Sequence, residues 1–391
     1  MNSTGRPRPR LLLIALAYVG FVSLGMPDAV LGVAWPSVRD RFDLPQGAIG
    51  LAFAAAGTGY FLTSFFAGTL TRILGIGLLL AGSTAVVAAA QLGFAFAPFW
   101  ILFVACELFH GFGSGAIDAG LNSYAAHHMS ARHMNWLHAC YCFGAMLGPL
   151  LMTGILTTGH PYGTGYASVG IAMLALATVF LATRPMWGEA DQDDTATTAP
   201  LRMRDAMRHA GVLLHMLVFF VYCGVETALS QWTFTVLTES RGVSAGAAGV
   251  AVGVYWGSIG AGRIGFGFVA ERIGLDRLLR LCLLAAVGGA VLFALPLPPV
   301  ASFAGLVLVG IGFAPVYPCL MTRTPQRLGT ALSAHAIGFQ VGAAMIGAAA
   351  IPGLLGLLAQ AAGLEALTLG TAALAVVLWL VHELLVRMDR R

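Results

Sequence analysis

An all-α membrane protein, with twelve transmembrane helices in two pseudo-symmetric six-helix bundles, is the fold this sequence predicts. Three observations predict it. Apolar runs of about 20 residues, long enough to cross a bilayer, recur along the whole chain. Hydrophobic residues make up 58% of the 391 positions and charged residues 10%, whereas a soluble domain is about a quarter charged. Features of the first half return in the second at an offset of about 199 residues, as parallel structural repeats would.

The mean hydropathy is +0.83. A transmembrane barrel would show shorter segments of alternating polarity. The first apolar run follows "RPRPR", but it is too long for a signal-peptide core and many spans follow it. Its cationic start reads as a cytoplasmic N-terminus. The spacing predicts spans over roughly 11–36, 46–70, 74–96, 99–126, 132–158 and 164–184. A second set falls at roughly 211–236, 245–270, 276–295, 300–322, 330–358 and 364–386. The domains are therefore an N-terminal bundle (1–184), a cytoplasmic linker (185–210) and a C-terminal bundle (211–391). The linker contains "GEADQDDTATTAP", which is polar, charged and rich in small residues.

With an even number of spans both termini share one side. That side collects the N-terminal arginines, Arg72, Arg132, Arg184, Arg202, Arg204, Arg208, Arg272, Arg277, Arg280, Arg323, Arg327 and the C-terminal cluster. The other side keeps Arg39, Arg41 and Arg241. The positive-inside rule then makes both termini cytoplasmic, in a multi-pass protein of the cell's inner (plasma) membrane. The chain holds no lysine, and its net charge of +4 comes from loop arginines. That balance speaks to topology and not to nucleic acid. The six cysteines lie in apolar segments and show neither metal spacing nor a disulfide framework.

The repeat is visible in particular strings. "GTLTRILG" from Gly68 matches "GFVAERIG" from Gly267, and "GFGSGAID" from Gly111 aligns with "GIGFAPVY" from Gly310. Asp28 and Glu226 correspond, as do His138 and His335. The 50 glycines suit helices whose backbones approach closely, by tight packing or by rocking.

Four acids fall well inside spans: Asp28, Glu107, Asp118 and Glu226. A charge at mid-bilayer costs about 2.5–3.5 kcal/mol on insertion scales, so such residues face a cavity or find partners, and many carry protons. Asp28 follows Pro27, which kinks a helix. Asp118 has Asn122 one turn on, and His138 on the next span is expected at similar depth, so the three read as a proton and substrate site or as an interhelical hydrogen bond. Glu107 can bond His110 along its own helix, or share a proton path with Asp118 three turns away. Beside Glu226 stand Gln231 and Trp232, then Tyr255 and Trp256 on the eighth span. Aromatic faces beside amides suit sugar rings, although Trp232 also fits an interfacial belt and the other two fit packing. His335 and Gln340 on the eleventh span complete the list of candidate substrate contacts.

These residues resemble a known family. The layout is similar to the major facilitator superfamily. "GFVAERIG" resembles its G-x-x-x-D-R-x-G loop motif, with Gly267, Glu271, Arg272 and Gly274 at the motif positions and Glu in place of Asp. The first-half copy departs from that pattern around Thr71 and Arg72. Within the superfamily, the first half resembles the fucose–proton symporters and related sugar transporters. The match rests on the acid Asp28, on the acid-x-x-x-Asn pattern of Asp118 and Asn122, and on "NWLHACYCFG" from Asn135 to Gly144, with His138 at the polar position. The resemblance implies that Asp28 and Asp118 serve proton coupling and substrate binding. Asp at 118 in place of Glu, and His at 138 in place of Gln, mean that fucose itself is not implied.

The expected function is therefore proton-coupled symport of a sugar or similar small polar solute by alternating access, without a cofactor beyond the proton gradient. A proton-driven exporter of drug-like or amphiphilic compounds is the alternative of the same fold, and a non-transporting receptor or scaffold is the alternative of another class. An enzyme is not expected, because the loops carry no nucleophile–base pair, phosphate loop or metal cluster. The expected partners are solute, protons and the lipid bilayer, in a monomer that binds no metal.

Overall fold

The computed structural model describes residues 11–129, 131–187 and 207–389. Most of the expected linker lies outside the described residues. The described chain is almost wholly helical. In order, the helices are α1 (Leu11–Asp28), α2 (Val30–Phe42), α3 (Ile49–Leu74), α4 (Ile76–Phe96), α5 (Trp100–His128), α6 (Ala131–Thr157) and α7 (Tyr162–Ala182). There follow α8 (Ala210–Thr235), α9 (Ala245–Ile273), α10 (Leu275–Ala294), α11 (Pro299–Phe313), α12 (Val316–Ala362) and α13 (Glu365–Asp389).

Among the described residues, 11 helical segments are long and apolar enough to cross a membrane. The 29-residue α9 occupies the place of the expected eighth span. Two breaks set helix counts apart from span counts. The first span, Leu11–Phe42, is interrupted at Ala29. Pro27 lacks the N–H that would bond a carbonyl one turn back, and the kink falls beside Asp28. The tenth span breaks between Phe313 and Val316, at Ala314 and Pro315, and then runs on to Gly329. Gly329 takes φ 74°, which separates the tenth span from the eleventh inside α12.

The chain divides into two compact units. The first gathers the described parts of Met1–Leu44, Leu51–Gln192 and Ala245–Trp256, and the second those of Pro45–Gly50, Asp193–Ser244 and Gly257–Arg391. In each unit the junction after the second span of a half is closed by a left-handed glycine. Gly75 has φ 69° and Gly274 has φ 85°, and they lie at the expected repeat offset. A side chain at either position would be strained, so the last glycine of each "G…G" loop string has a backbone reason to be there.

Small residues set the spacing of the helices that carry the acids. A Cβ on Gly25 of α1 would lie 2.0 Å from the Tyr141 carbonyl oxygen of α6, and one on Gly144 would lie 2.0 Å from that of Val22. The α3–α5 pair is built the same way, with Gly111 facing the Ala56 carbonyl at 1.9 Å and Gly59 facing that of Leu108 at 2.1 Å. In lipid, where apolar contact with a neighbour is little better than contact with a tail, such close backbone approach is what holds helices together. It also holds Asp28 against α6 and Asp118 against α3.

Gly111→Val places its branch against a backbone carbonyl that cannot turn aside. It is expected to lower stability by about 1–3 kcal/mol, read as a lower thermal midpoint in detergent. Gly82→Val, where no atom lies within 4 Å of the new Cβ, is expected to leave that midpoint unchanged; equal losses at both positions would refute the close-packing account.

Candidate functional site

The first unit brings three of the four intramembrane acids into two linked groups. At the α1 kink, Asp28 Oδ2 accepts a hydrogen bond of 3.0 Å from the Tyr141 hydroxyl of α6. Its other oxygen, Oδ1, lies 3.2 Å from His110 Nε2 of α5. That contact has ion-pair distance but is out of line for a straight hydrogen bond. The other ring nitrogen, His110 Nδ1, lies 3.5 Å from Glu107 Oε2 one turn back on the same helix. His110 and Glu107 are buried, while Asp28 stays 27% exposed at its side chain. A continuous polar chain thus runs Tyr141–Asp28–His110–Glu107 across α6, α1 and α5.

Two carboxylates flanking one imidazole form a unit whose charge changes by single protons. With all groups deprotonated it carries two negative charges, of which the one on Glu107 is buried. An imidazolium in the middle balances one of them, and a proton on either acid balances the other. This is the chemistry expected of a proton-carrying group in a membrane, where ionisable residues sit on ion and proton pathways.

Asp118, two turns beyond His110 on α5, has its own partners. The Tyr60 hydroxyl of α3 donates to Oδ2 at 2.6 Å, and Asn122 Nδ2 donates to Oδ1 at 2.9 Å. The one-turn Asp–Asn spacing read from the sequence therefore becomes a hydrogen bond along the helix. His138 on α6 lies edge-on to Phe21, with ring centroids 5.5 Å apart. Trp256, grouped with the first unit, packs edge-on against Tyr141 at 6.0 Å and against Tyr255 at 5.6 Å. Tyr255 is fully buried and Trp256 nearly so.

The second unit treats its acid differently. Glu226 Oε1 accepts 2.6 Å from the Tyr222 hydroxyl one turn back on α8, and Arg263 of α9 approaches the same oxygen at 3.9 Å. The counterpart of Asp28 is thus faced by a fixed cation in place of a histidine. Gln231 is buried close by in sequence, with its Nε2 unbonded among the described residues. Trp232 is buried and spends its indole N–H on the Pro352 carbonyl at 3.0 Å. Gln340 is fully buried and exchanges hydrogen bonds with Thr324 at 2.8 and 3.2 Å. Substrate contact was expected of both Trp232 and Gln340; their polar atoms are bonded within the protein here, as a buried N–H or amide in lipid must be.

The side chains of His335 and Glu271 lie outside the described residues. Of the loop motif, Gly267 and Arg272 are exposed and Gly274 makes the turn. The acid that gathers cations next to this loop is Asp276, the second residue of α10. Arg323 bonds it at 3.0 Å and Arg327 at 2.9 Å, both from the end of the tenth span. No group of metal-ligating residues is found among the described residues.

Tyr60, Tyr141, Tyr222 and the His110–Asp28 contact were not legible as site members. Tyr60 and Tyr141 meet their acids across helices, and no spacing along one helix announces that. Arg263 did leave a signal: it is a cation well inside an apolar run, in "GAGRIG".

Paired intramembrane acids on two bundles of apolar helices define a polytopic carrier of the helical membrane class. A profile of the Major Facilitator Superfamily matches residues 17–352. The chain belongs to the major facilitator superfamily; it is a membrane transporter and not an enzyme. "Bypass of stop codon protein 6" of Saccharomyces cerevisiae is 22% identical over 93% of this chain and 80% of its own length. "Sodium-dependent glucose transporter 1A" of Mus musculus is 23% identical over 87% of this chain and 88% of its own. Among solved structures, the nucleoside transporter NupG superposes with a TM-score of 0.76 at 14% identity, covering 96% of this chain and 99% of that one. The E. coli fucose:proton symporter FucP does so at 0.65 and 17% identity, covering 96% and 98%. At those identities the structures show the shared fold.

Arg263→Met removes the cation that faces buried Glu226. Thermal unfolding is expected to show a loss of about 3 kcal/mol, most of which returns in Arg263→Met/Glu226→Gln, since a lone buried charge costs more than no charge. A double variant no more stable than Arg263→Met would show that the pair is not what the arginine serves.

Proposed function

We infer that this chain is a proton-coupled symporter of a sugar or similar small polar solute, working by alternating access of its two bundles, with both termini cytoplasmic in the cell's plasma membrane. The observation that carries the reading is the Tyr141–Asp28–His110–Glu107 chain, with Asp118 beside it on α5. A carrier that bound solute alone would have no use for carboxylates placed around an imidazole in hydrocarbon, at the cost such groups bear there. The names of the mouse glucose transporter and the E. coli fucose:proton symporter support the sugar class.

Asp118 is the coupling acid in this reading. Tyr60 and Asn122 can donate to its carboxylate, and the same oxygens can hold a proton when one is taken. Protonation removes a buried charge and so changes which arrangement of the bundles is favoured. Asp28 and its histidine pass protons and orient the solute through Tyr141. Asn122 and His138 are the proposed solute contacts of the first half, with Tyr255 and Trp256 as apolar walls.

Reconstituted protein is expected to accumulate a sugar from a screened panel when a pH gradient is imposed. A sodium gradient alone is expected to drive nothing. Loss of preloaded solute under the same gradient would establish the exporter, sodium-only accumulation would move the coupling ion, and no flux with any solute would end the transport reading.

Asp118→Asn is expected to abolish uphill accumulation and keep solute exchange between the two sides. The measurement is the accumulation ratio against counterflow in the same vesicles. A normal ratio in Asp118→Asn would remove Asp118 from the coupling role.

A further inference from the structure

Glu107 and His110 face a second group of polar side chains that the transport reading leaves unused. On α4, Thr84 and Gln91 are completely buried; on α5, Ser114 is 2% exposed; on α7, Tyr166 is 1% exposed. The Thr84 hydroxyl, both ends of the Gln91 amide, the Ser114 hydroxyl and the Tyr166 hydroxyl have no hydrogen-bond partner among the described residues.

The packing of α4, α5 and α7 sets these groups on facing turns. α4 and α5 run antiparallel, and the contacts of their small residues fix the register. Gly120 meets Leu79, Gly113 meets Ser83 and Val87, and Gly93 meets Cys106. That register sets Thr84 opposite Ser114, and Gln91 opposite Glu107 and His110. Phe94, one turn beyond Gln91, touches both neighbours: its ring lies 6.2 Å from His110 and 5.1 Å from Tyr166. Gly170 of α7 packs on Ala88 and Leu92, so Tyr166 comes down beside the same turn of α4. The Tyr166 hydroxyl is within electrostatic range of Glu107 and of Tyr162. Tyr162 opens α7 and is in turn within range of Arg41, near the end of α2.

Unbonded polar atoms this deep in a membrane protein would together cost as much as the net stability of a fold. A bilayer offers them no relief, and helices leave no spare backbone groups to serve them. Water does, wherever a site is polar enough to give each molecule two to four partners. We propose that Thr84, Gln91, Ser114 and Tyr166 enclose a hydrated pocket inside the first unit, and that its water delivers protons to Glu107 and His110 by a path separate from the one the solute takes. The pocket stands on packing alone; its role in coupling rests on the proton-symport reading.

The other titratable groups around Glu107 are its neighbour Cys106, Asp28 beyond the imidazole, and Tyr166 and Tyr162 on α7. α4 contributes amide and hydroxyl groups and nothing that titrates. A proton arriving on a pocket water bonds to a Glu107 carboxylate oxygen and leaves the water neutral. Glu107 passes it to His110 Nδ1, and the Nε2–H bond then breaks to protonate Asp28 Oδ1. Exchange with pocket water restores the imidazole tautomer.

Hydroxyl-radical footprinting by radiolysis of the full-length protein tests the pocket without needing the solute, because radicals form on bound water. Phe180 of the same unit is as deeply buried as Tyr166 and serves as the dry reference. Tyr166 is expected to be modified about tenfold faster than Phe180, and Gln91→Leu to remove most of that difference. Modification of Tyr166 at the Phe180 rate would overturn the proposal.

The proton role is read in vesicles, on whichever solute the wild type accumulates under a pH gradient. Gln91→Leu/Tyr166→Phe is expected to cut the accumulation ratio about tenfold while exchange stays within about twofold. If that pair unfolds, Ser114→Ala/Thr84→Val makes the same test with smaller changes. Unimpaired accumulation in a folded variant would leave the pocket without a proton role. A wild type that accumulates nothing would sink the symport reading and leave the footprint to judge the pocket.

Discussion

Hydrocarbon solvates neither a charge nor an unbonded polar group, and every feature of this molecule that is not plain packing answers to that constraint. The apolar helices satisfy their own backbones. The four acids inside them cannot do so alone, and each is met by named donors. Asp28 has Tyr141 and His110, Glu107 has His110, Asp118 has Tyr60 and Asn122, and Glu226 has Tyr222 and Arg263. Tyr141 and His110 reach Asp28, Tyr60 reaches Asp118 and Arg263 reaches Glu226 from other helices, so those helices must lie close. The glycines at the α1–α6 and α3–α5 crossings bring Tyr141 to Asp28 and Tyr60 to Asp118.

The fold was legible in the sequence because its determinants are local. A span is a run of apolar residues, and the kink in the first span is a proline beside an acid. The glycine turns at 75 and 274 come from one short string written twice. The merged helix around Gly329 shows where locality stops helping: the chain between the tenth and eleventh spans stays helical up to a single left-handed residue. A reading by composition places that boundary correctly within a few residues but does not see that one glycine makes it.

The site was legible by half, and the missing half is what lies across helices. The acids stood out because a carboxylate in an apolar run is rare. Asn122 was found because its partner is one turn away. His110 was assigned to Glu107 on the same ground, and its second contact, to Asp28, came only from α1 folding against α5. Trp232 and Gln340 show the complementary case. Their chemistry suits a sugar, but Pro352 and Thr324 had already taken their hydrogen bonds. Amphipathic side chains in a membrane protein declare that they need a partner without declaring which.

The two halves repeat a scaffold and differ in its electrostatics, and that difference localises the proposed coupling. In the second unit Glu226 is opposed by Arg263, a cation that keeps its charge at any physiological pH. Protonation of Glu226 breaks that ion pair. In the first unit the corresponding acid faces a histidine, and a second acid meets the other nitrogen of the same ring. A transporter whose conformational preference follows its protonation needs one half that responds and one that holds still as a reference. In the symport reading, the Asp28–His110–Glu107 group answers the first need, and Tyr222–Glu226–Arg263 the second.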